Sequence, residues 1–408
     1  MPDRERLLGL LNELDRYGMK ATFFLPGMRV AEEPELAKEI TARGHEVENN
    51  TLNRSDIESM SYADTFKELD LSEQIIADTT GVKPKFFRTA TDHGDGNADV
   101  LLAAAQSGLK AAVSHNLLLS DEHLDKELQD PHFLRHYLKR GAIVSIDIET
   151  NKRTAELLSH LAAAAKDVNY SFVTLNTLLQ GSLAKKSLEQ IQGFDAAVPN
   201  PDYADQQYRF IGQSSETGKE IAITLDDWGT DYTVTRILDI FAEHGIKATF
   251  FLRADGVERN PNLARAIVEE GHEVGNHSYS HPKITTIPPD QLQDEVVRAH
   301  RIITEAIQQQ PTMMFRPPAG NVDDASAKVV AATGYKDIAL FDVDPKDWNK
   351  SNNAEQIVNS VMEQVDAGGR VILLHLLDDT HTIEALPDII EGLQAKGYRF
   401  VKLSEMPD

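Results

Sequence analysis

Cysteine is absent from this chain of 408 residues, so disulfide bonds and thiol chemistry are excluded. No apolar run approaches the length of a membrane span, and the N-terminus MPDRERLLGLL lacks the basic and then apolar pattern of a signal peptide. Positive charge is in deficit, because 41 Lys and Arg stand against 65 Asp and Glu, and the formal net charge of −24 argues against nucleic acid as a partner. These absences leave a globular chain that is long enough for two domains.

An internal repeat organises the rest of the sequence. GMKATFFL starts at residue 18 and GIKATFFL at residue 245, an offset of 245 − 18 = 227 residues, and the same offset relates the two GHEV segments. We therefore predict two copies of one domain, over residues 1–182 and 219–408. The stretch 183–218 is rich in Gly, Ser, Asp and Asn, which is typical of a connector, and one short strand is expected in it.

Apolar runs alternate with segments of helical period throughout the second copy. Seven strands are predicted, from EIAITL at 220–225 to YRFVKL at 398–403, each linked to the next by a helix. Such a series produces parallel strands with right-handed crossovers, in an open sheet or a barrel. Because no dinucleotide-binding glycine pattern is present, we favour the barrel. The predicted fold class is α/β, with two tandem (β/α) barrels of about seven parallel strands each, the first one incomplete.

Unusual polar residues of the second copy gather at the C-terminal ends of the predicted strands, where such barrels place their chemistry. The set consists of Asp226, Asp227, His277, His281, Arg316, Asp344, Asp347, Trp348 and His375. Each residue alone has an ordinary explanation, such as a helix cap, an ion-pair partner or a surface histidine. Five independent accidents would not select the same end of five strands, so we predict one site.

The ordered segments TLDDW, HSYSH, RPPAG, DPKDW and LLH resemble the five motifs of the polysaccharide deacetylases. This family is similar to carbohydrate esterase family 4, and its NodB-type domain is a distorted (β/α) barrel. The resemblance spans residues 220–403, and two positions depart from it. Trp228 stands where the family usually has Gly, and Ala319 stands where an aromatic residue is common.

The resemblance implies a metal site and a general base. Asp227, His277 and His281 would bind one divalent metal per chain, with zinc expected and Co²⁺, Ni²⁺ or Mn²⁺ as alternatives. Two nitrogens, one carboxylate oxygen and open positions suit a catalytic rather than a structural zinc. Asp226 would be the general base that takes a proton from water, and Arg316 would orient it.

The resemblance also implies a general acid and contacts to the substrate. His375 would protonate the departing amine, held by a carboxylate from DPKDW, for which Asp347 is preferred and Asp344 is the alternative. A backbone N–H near Ala319 would stabilise the oxyanion. Trp348 would line the substrate groove, although packing inside the barrel explains an apolar ring at this position equally well.

The activity that the resemblance implies is hydrolysis of linear amides, with removal of acetyl groups from N-acetylated polysaccharides such as peptidoglycan or chitin-like polymers. Such enzymes usually act outside the membrane or at the cell surface, and a cytoplasmic location stays open as the alternative because the sequence shows no signal peptide. Two alternatives stay open: an O-acetyl esterase on xylan-type glycans, and a protein that binds metal and sugar without catalysis. The same ligand set also suits non-haem iron, but oxygen chemistry would leave His375 and the Arg316–Asp226 pair without a role.

The first copy lacks the residues of this site. Under the offset, the two histidine ligands fall on Asn50 and Arg54, the acid falls on Asp147, and only Arg88 preserves the residue type of its counterpart. The counterparts of the two aspartates and their strand would precede Met1, so an upstream extension of the natural chain is one expectation. We predict that this copy is catalytically inactive and is kept as a packing partner, with sugar binding as the alternative.

Overall fold

The chain folds into two compact units in a computed structural model, which describes residues 4–89, 98–130, 133–180, 185–212 and 218–406. The units are Met1–Leu183 and Ala184–Asp408. The described residues 185–212 of the expected connector fall within the second unit. Its backbone and side chains bind that unit directly, as in the hydrogen bond from Asn200 N to Gln293 Oε1 at 2.8 Å.

The first unit contains two parallel sheets in its described residues. The larger sheet has the order β1-β2-β3-β4, and β5 pairs with β6 in the smaller one. The strands are β1 (Thr22–Leu25), β2 (Glu46–Asn49), β3 (Phe86–Phe87), β4 (Ala111–Ala112), β5 (Leu117–Leu119) and β6 (Val144–Ile146). The helices are α1 (Arg4–Arg16), α2 (Gly27–Glu32), α3 (Pro34–Ala42), α4 (Tyr62–Thr80), α5 (Ala98–Ser107), α6 (Asp121–Asp125), α7 (Thr154–Asp167) and α8 (Leu175–Gln180).

The second unit is built on one parallel sheet of eight strands, in the order β13-β8-β9-β10-β11-β12-β7, with β14 also pairing with β8. The strands are β7 (Arg209–Ile211), β8 (Glu220–Asp227), β9 (Thr249–Leu252), β10 (Glu273–Asn276), β11 (Met314–Phe315), β12 (Asp337–Ala339), β13 (Val371–His375) and β14 (Arg399–Phe400). The helices are α9 (Asp231–Glu243), α10 (Ala254–Arg259), α11 (Pro261–Glu269), α12 (Pro289–Ile307), α13 (Asp324–Ala332), α14 (Ala354–Asp366) and α15 (Thr382–Ala395).

We predicted about seven strands in each copy, with the first copy lacking its first strand. All seven strands predicted for the second copy are present, and the eighth, β7, comes from the expected connector and pairs with β12. An isolated parallel bridge between Val343 and Ile372 joins the segment after β12 to β13. The described part of the first unit has six strands in two sheets rather than one, because no strand lies beside β1 as β8 lies beside β9. The α/β class with parallel sheets is confirmed, and the distorted barrel stays a prediction.

Strand β8 forms the centre of the second unit. Residues 221–227 are all buried, as expected for an apolar run in a parallel sheet whose two faces are covered. Helix α9 packs its apolar side, including Ile237 and Phe241, into the same core, and it stops before Gly245, whose φ of 67° suits the left-handed turn after a helix. In the register between β8 and β13, Asp226 lies opposite His375, so the C-terminal ends of these strands place the two side chains on one edge.

Five consecutive elements of the two units have the same bounds after a shift of 249 − 22 = 227 residues. They are β1 and β9, α2 and α10, α3 and α11, β2 and β10, and α4 and α12. Side-chain contacts repeat as well, since the backbone N–H of Ala21 donates to His45 Nδ1 and that of Ala248 donates to His272 Nδ1. The repeated sequence therefore forms the same local structure twice. Among the described residues, no helix has the length and apolarity that crossing a membrane requires.

Candidate active site

Three side chains at the C-terminal edge of the second unit form a cluster with metal-ligand chemistry. One ligand atom from each of Asp227, His277 and His281 lies within 4.8 Å of the others. Asp227 ends β8, and the histidines follow β10. The backbone is left-handed at Asp227, Ser278 and His281, with φ of 75°, 64° and 63°, a conformation that non-glycine residues rarely adopt outside turns and functional sites.

The hydrogen bonds and burial of His277 favour the form that binds a metal. Its Nδ1 lies 2.8 Å from the carbonyl oxygen of Arg316, which as an acceptor assigns the proton to Nδ1 and leaves the Nε2 lone pair free. Burial lowers the pKa of His277 and outweighs the opposing effect of the nearby carboxylates. His281 Nε2 lies 3.8 Å from Asp227 Oδ1. Two imidazoles and one carboxylate fit a divalent metal such as zinc.

Asp226 lies beside this cluster and is paired with a buried arginine. Arg316 is fully buried, and its Nη1 donates to Asp226 Oδ1 at 3.0 Å and to Thr224 Oγ1 at 2.6 Å. Its Nη2 donates to the carbonyl oxygen of Leu340 at 3.0 Å. The guanidinium also lies 4.2 Å from the ring centroid of Phe251. These contacts hold the guanidinium in one position, and it in turn orients Asp226 and balances its charge.

His375 forms a second ion pair on the same edge. Its Nδ1 lies 2.8 Å from Asp347 Oδ1, and its backbone N–H donates to Asp347 Oδ2 at 2.8 Å. Burial by itself lowers the pKa of His375, but the hydrogen bond and the charge of Asp347 oppose it, so that the pKa is raised above its ordinary value. Asp344 Oδ1 instead accepts from the N–H of Lys346 at 2.9 Å. Of the two candidates for a partner of His375, the structure brings Asp347 to the ring.

Sequence reasoning missed Thr382, whose hydroxyl donates to Asp347 Oδ2 at 2.7 Å. With this bond, the fully buried Asp347 accepts three hydrogen bonds, and the other two come from His375. Thr382 opens helix α15 and lies outside the motif that contains the histidine. No spacing rule links it to Asp347, because the contact depends on how the two loops fold towards each other.

The remaining predicted residues lie in loops at this edge. Ala319 is exposed and left-handed, with φ of 54° and ψ of 22°. Trp348 is 48% exposed and belongs to no core cluster of the described residues, which disfavours the packing alternative for its ring. Trp228 is half-buried, and its indole occupies the space that a Cβ on residue 256 would need, so Gly256 is required there.

The corresponding loops of the first unit contain ion pairs instead of ligands. Arg54 Nη2 donates to Asp147 Oδ2 at 2.9 Å, and its Nη1 donates to Glu149 Oε2 at 2.6 Å. Arg88 Nη1 donates to Ser145 Oγ at 2.8 Å. Within the described ranges, the cluster of Asp227 and the two histidines is the only group with metal-ligand geometry.

Comparisons with known proteins identify the family of this chain and several relatives. The sequence model of the family described as polysaccharide deacetylase matches residues 4–112 and 213–338. A peptidoglycan-N-acetylglucosamine deacetylase of Bacillus cereus is 30% identical over 59% of this chain and 90% of its own length, and a second one from that organism is 35% identical over 46% and 88%. A solved CE4 family pseudoenzyme of Bacillus anthracis is 31% identical, with a TM-score of 0.46 over 50% of this chain and 70% of that one.

Proposed function

Because this chain belongs to the polysaccharide deacetylase family, we propose that its second unit is a metal-dependent hydrolase that removes acetyl groups from N-acetylglucosamine units of peptidoglycan. The observation that supports this best is the grouping of a possible metal site with two separate ion pairs, Asp226–Arg316 and His375–Asp347, on one edge of the sheet. Amide hydrolysis needs an activated water, charge stabilisation and a proton for the leaving amine, and this edge has one candidate for each.

Asp227, His277 and His281 would hold the metal. When bound there, a zinc ion would supply a water of lowered pKa and would polarise the acetyl carbonyl. The unequal burial of the ligands suits this role, because His277 is fully enclosed whereas the side chain of His281 is 32% exposed. The ligand set thus has one open side, which substrate can approach.

Asp226 is assigned as the general base. Its carboxylate is next to the ligand Asp227 in sequence, and its Oδ2 lies 3.8 Å from His277 Nε2. Since Oδ1 is occupied by Arg316, Oδ2 is the atom that accepts the proton of the attacking water. Metal binding alone does not require this second carboxylate, and its burial with a dedicated arginine supports a role in turnover.

His375 is assigned as the general acid. The pair with Asp347 raises the pKa of His375 and so favours the charged imidazole, in which Nε2 holds a proton for the departing amine. Donation of that proton makes the amine a competent leaving group. A backbone N–H at Ala319 would stabilise the negative charge that develops on the acetyl oxygen. Trp348, with its exposed indole, would contact the sugar chain beside the reacting group.

Removal of the metal tests this proposal directly. We expect metal-free protein to release no acetate from an N-acetylglucosamine oligomer, and one equivalent of zinc to restore release, because the nucleophile depends on the metal. Acetate is measured by an enzyme-coupled assay, and bound zinc by elemental analysis. Tight uptake of one zinc without any release would contradict the N-deacetylase activity. Acetylated xylan and unsubstituted xylan, assayed in parallel, would then test an O-acetyl esterase.

We further propose that the first unit is a catalytically inactive copy that stabilises the protein and takes no part in the reaction. Its counterparts to the two histidine ligands are Asn50 and Arg54, and Arg54 is engaged with Asp147 and Glu149. Because the chain is similar in sequence to peptidoglycan deacetylases, we propose that the protein acts on the cell wall.

A shortened chain that consists of residues 184–408 tests the role of the first unit. We expect lower solubility and a lower midpoint of thermal unfolding, with the metal site itself intact, because all proposed ligands lie in the part that is kept. The full chain with Arg54→Ala is the matched control, and we expect it to retain full activity. A shortened chain with unchanged stability and full activity would contradict the stabilising role.

A further inference from the structure

A buried carboxylate clamps the loop between the two histidine ligands. Glu295, on helix α12, is 8% exposed. Its Oε2 accepts hydrogen bonds from the backbone N–H groups of Tyr279 at 3.0 Å and Ser280 at 2.8 Å, and its Oε1 accepts one from Ser280 Oγ at 2.8 Å. The clamped residues lie between His277 and His281 in sequence, so the position of both imidazoles depends on this loop.

A carboxylate near a metal site has two possible roles, which are to balance the charge of the cation or to shape the ligand loop. The first unit separates them. There Glu68, at 295 − 227 = 68, accepts from the N–H groups of Leu52 at 3.1 Å and Asn53 at 3.2 Å. These residues are the counterparts of Tyr279 and Ser280 under the same offset. The first unit has no histidine in this loop, yet it keeps the clamp, so the same carboxylate contacts form around a loop without metal ligands.

The loop conformation itself is also the same in the two units. Thr51 and Arg54 have φ of 59° each, and their counterparts Ser278 and His281 have φ of 64° and 63°. In each unit an asparagine supports the start of the loop, since Asn49 Oδ1 accepts from Thr51 N at 2.8 Å and Asn276 Oδ1 accepts from Ser278 N at 2.9 Å. Left-handed non-glycine residues persist only where surrounding contacts determine them, and the glutamate supplies such contacts.

We infer that Glu295 is a positioning residue that holds the His277–His281 loop in its metal-binding conformation before a metal arrives. The inference rests on the proposed function, because it assumes that the two histidines bind a metal. Preorganised ligands bind more tightly, since the free energy of ordering the loop is not taken from metal binding. The hydrogen-bond acceptors of Glu295 matter here, and its charge does not.

Two substitutions separate acceptor geometry from charge. Glu295→Gln removes the charge, but its amide oxygen still accepts from both N–H groups and its NH2 faces Ser280 Oγ. Glu295→Asp keeps the charge, but its side chain is one methylene shorter, so its carboxylate oxygens lie farther from the N–H groups of the loop. With zinc titrated against a chromogenic chelator, we expect Glu295→Asp to weaken binding about 10- to 100-fold and Glu295→Gln by about threefold at most. Glu68→Asp in the first unit is the matched control and should leave zinc affinity unchanged.

Amide hydrogen exchange in metal-free protein provides a readout that does not depend on zinc. We expect faster exchange at Tyr279 and Ser280 in Glu295→Asp, and wild-type rates in Glu295→Gln. Equal zinc affinity in the Asp variant and the wild type, or the reverse order of the Gln and Asp variants, would overturn the positioning role alone. A wild-type chain that takes up no zinc would overturn the proposed function and the positioning role together.

Discussion

Replacing Asp226 with Asn is expected to abolish acetate release while the protein still binds its metal. The three proposed ligands are unchanged, but the amide cannot take a proton from water at neutral pH. General bases contribute about 10²- to 10⁴-fold to a rate, so kcat should fall by at least about 10²-fold. Measurements of kcat and of zinc affinity on the same preparation check both halves of the prediction. Turnover within a few-fold of the wild type would contradict the assignment of the base.

The same substitution also affects stability, because Arg316 is fully buried and Asp226 is its only carboxylate partner among the described residues. Removal of one member of a buried ion pair costs about 3–5 kcal/mol in the free energy of unfolding. The double variant Asp226→Asn with Arg316→Met removes the unpaired charge and should regain part of that stability without activity. This comparison distinguishes a lost base from a partly unfolded protein.

Asp347→Asn is expected to lower kcat about 10²- to 10⁴-fold and to change the pH profile. Without the carboxylate, burial is opposed only by the weaker effects of Asp226 and Asp227, so the pKa of His375 falls below its wild-type value. A general acid acts only when protonated, so activity is lost as the pH rises through its pKa. The alkaline limb of the profile should therefore move to lower pH in this variant, as measured by kcat between pH 5 and 9.

Asp344→Asn is the matched control for this prediction, because Asp344 Oδ1 accepts from the N–H of Lys346, and among the described residues no hydrogen bond or ion pair joins Asp344 to His375. Its alkaline limb should coincide with that of the wild type. An unchanged alkaline limb in Asp347→Asn would contradict the role of the pair.

The raised pKa of His375 also links stability to pH. The pair contributes its full stabilisation below the ordinary pKa of histidine, about 6.5, and loses it as the pH rises through the raised value in the folded state.

Much of this protein follows from local features of its sequence. The repeat with an offset of 227 residues predicted elements whose bounds agree between the units, from β1 and β9 to α4 and α12. Alternation of apolar runs and helical segments predicted parallel strands, because hydrophobic periodicity is a property of neighbouring residues. The five motifs predicted the family, and strand ends predicted that Asp226, Asp227 and His375 share one edge.

The tertiary structure decided what depends on contacts between distant segments. The short strand expected in the connector is Arg209–Ile211, and only the tertiary structure shows that it pairs with β12 in the sheet of the second unit. The loop that contains Asp344 and Asp347 folds so that Asp347 is the residue that contacts His375. Thr382 contacts the same carboxylate. The Glu295 clamp joins a helix to a loop and has no signature in either segment. The sequence by itself therefore determined the helices, the strands and the motif residues. The side-chain partners were decided by the tertiary structure, because a hydrogen bond depends on the positions of two segments that are distant in the sequence.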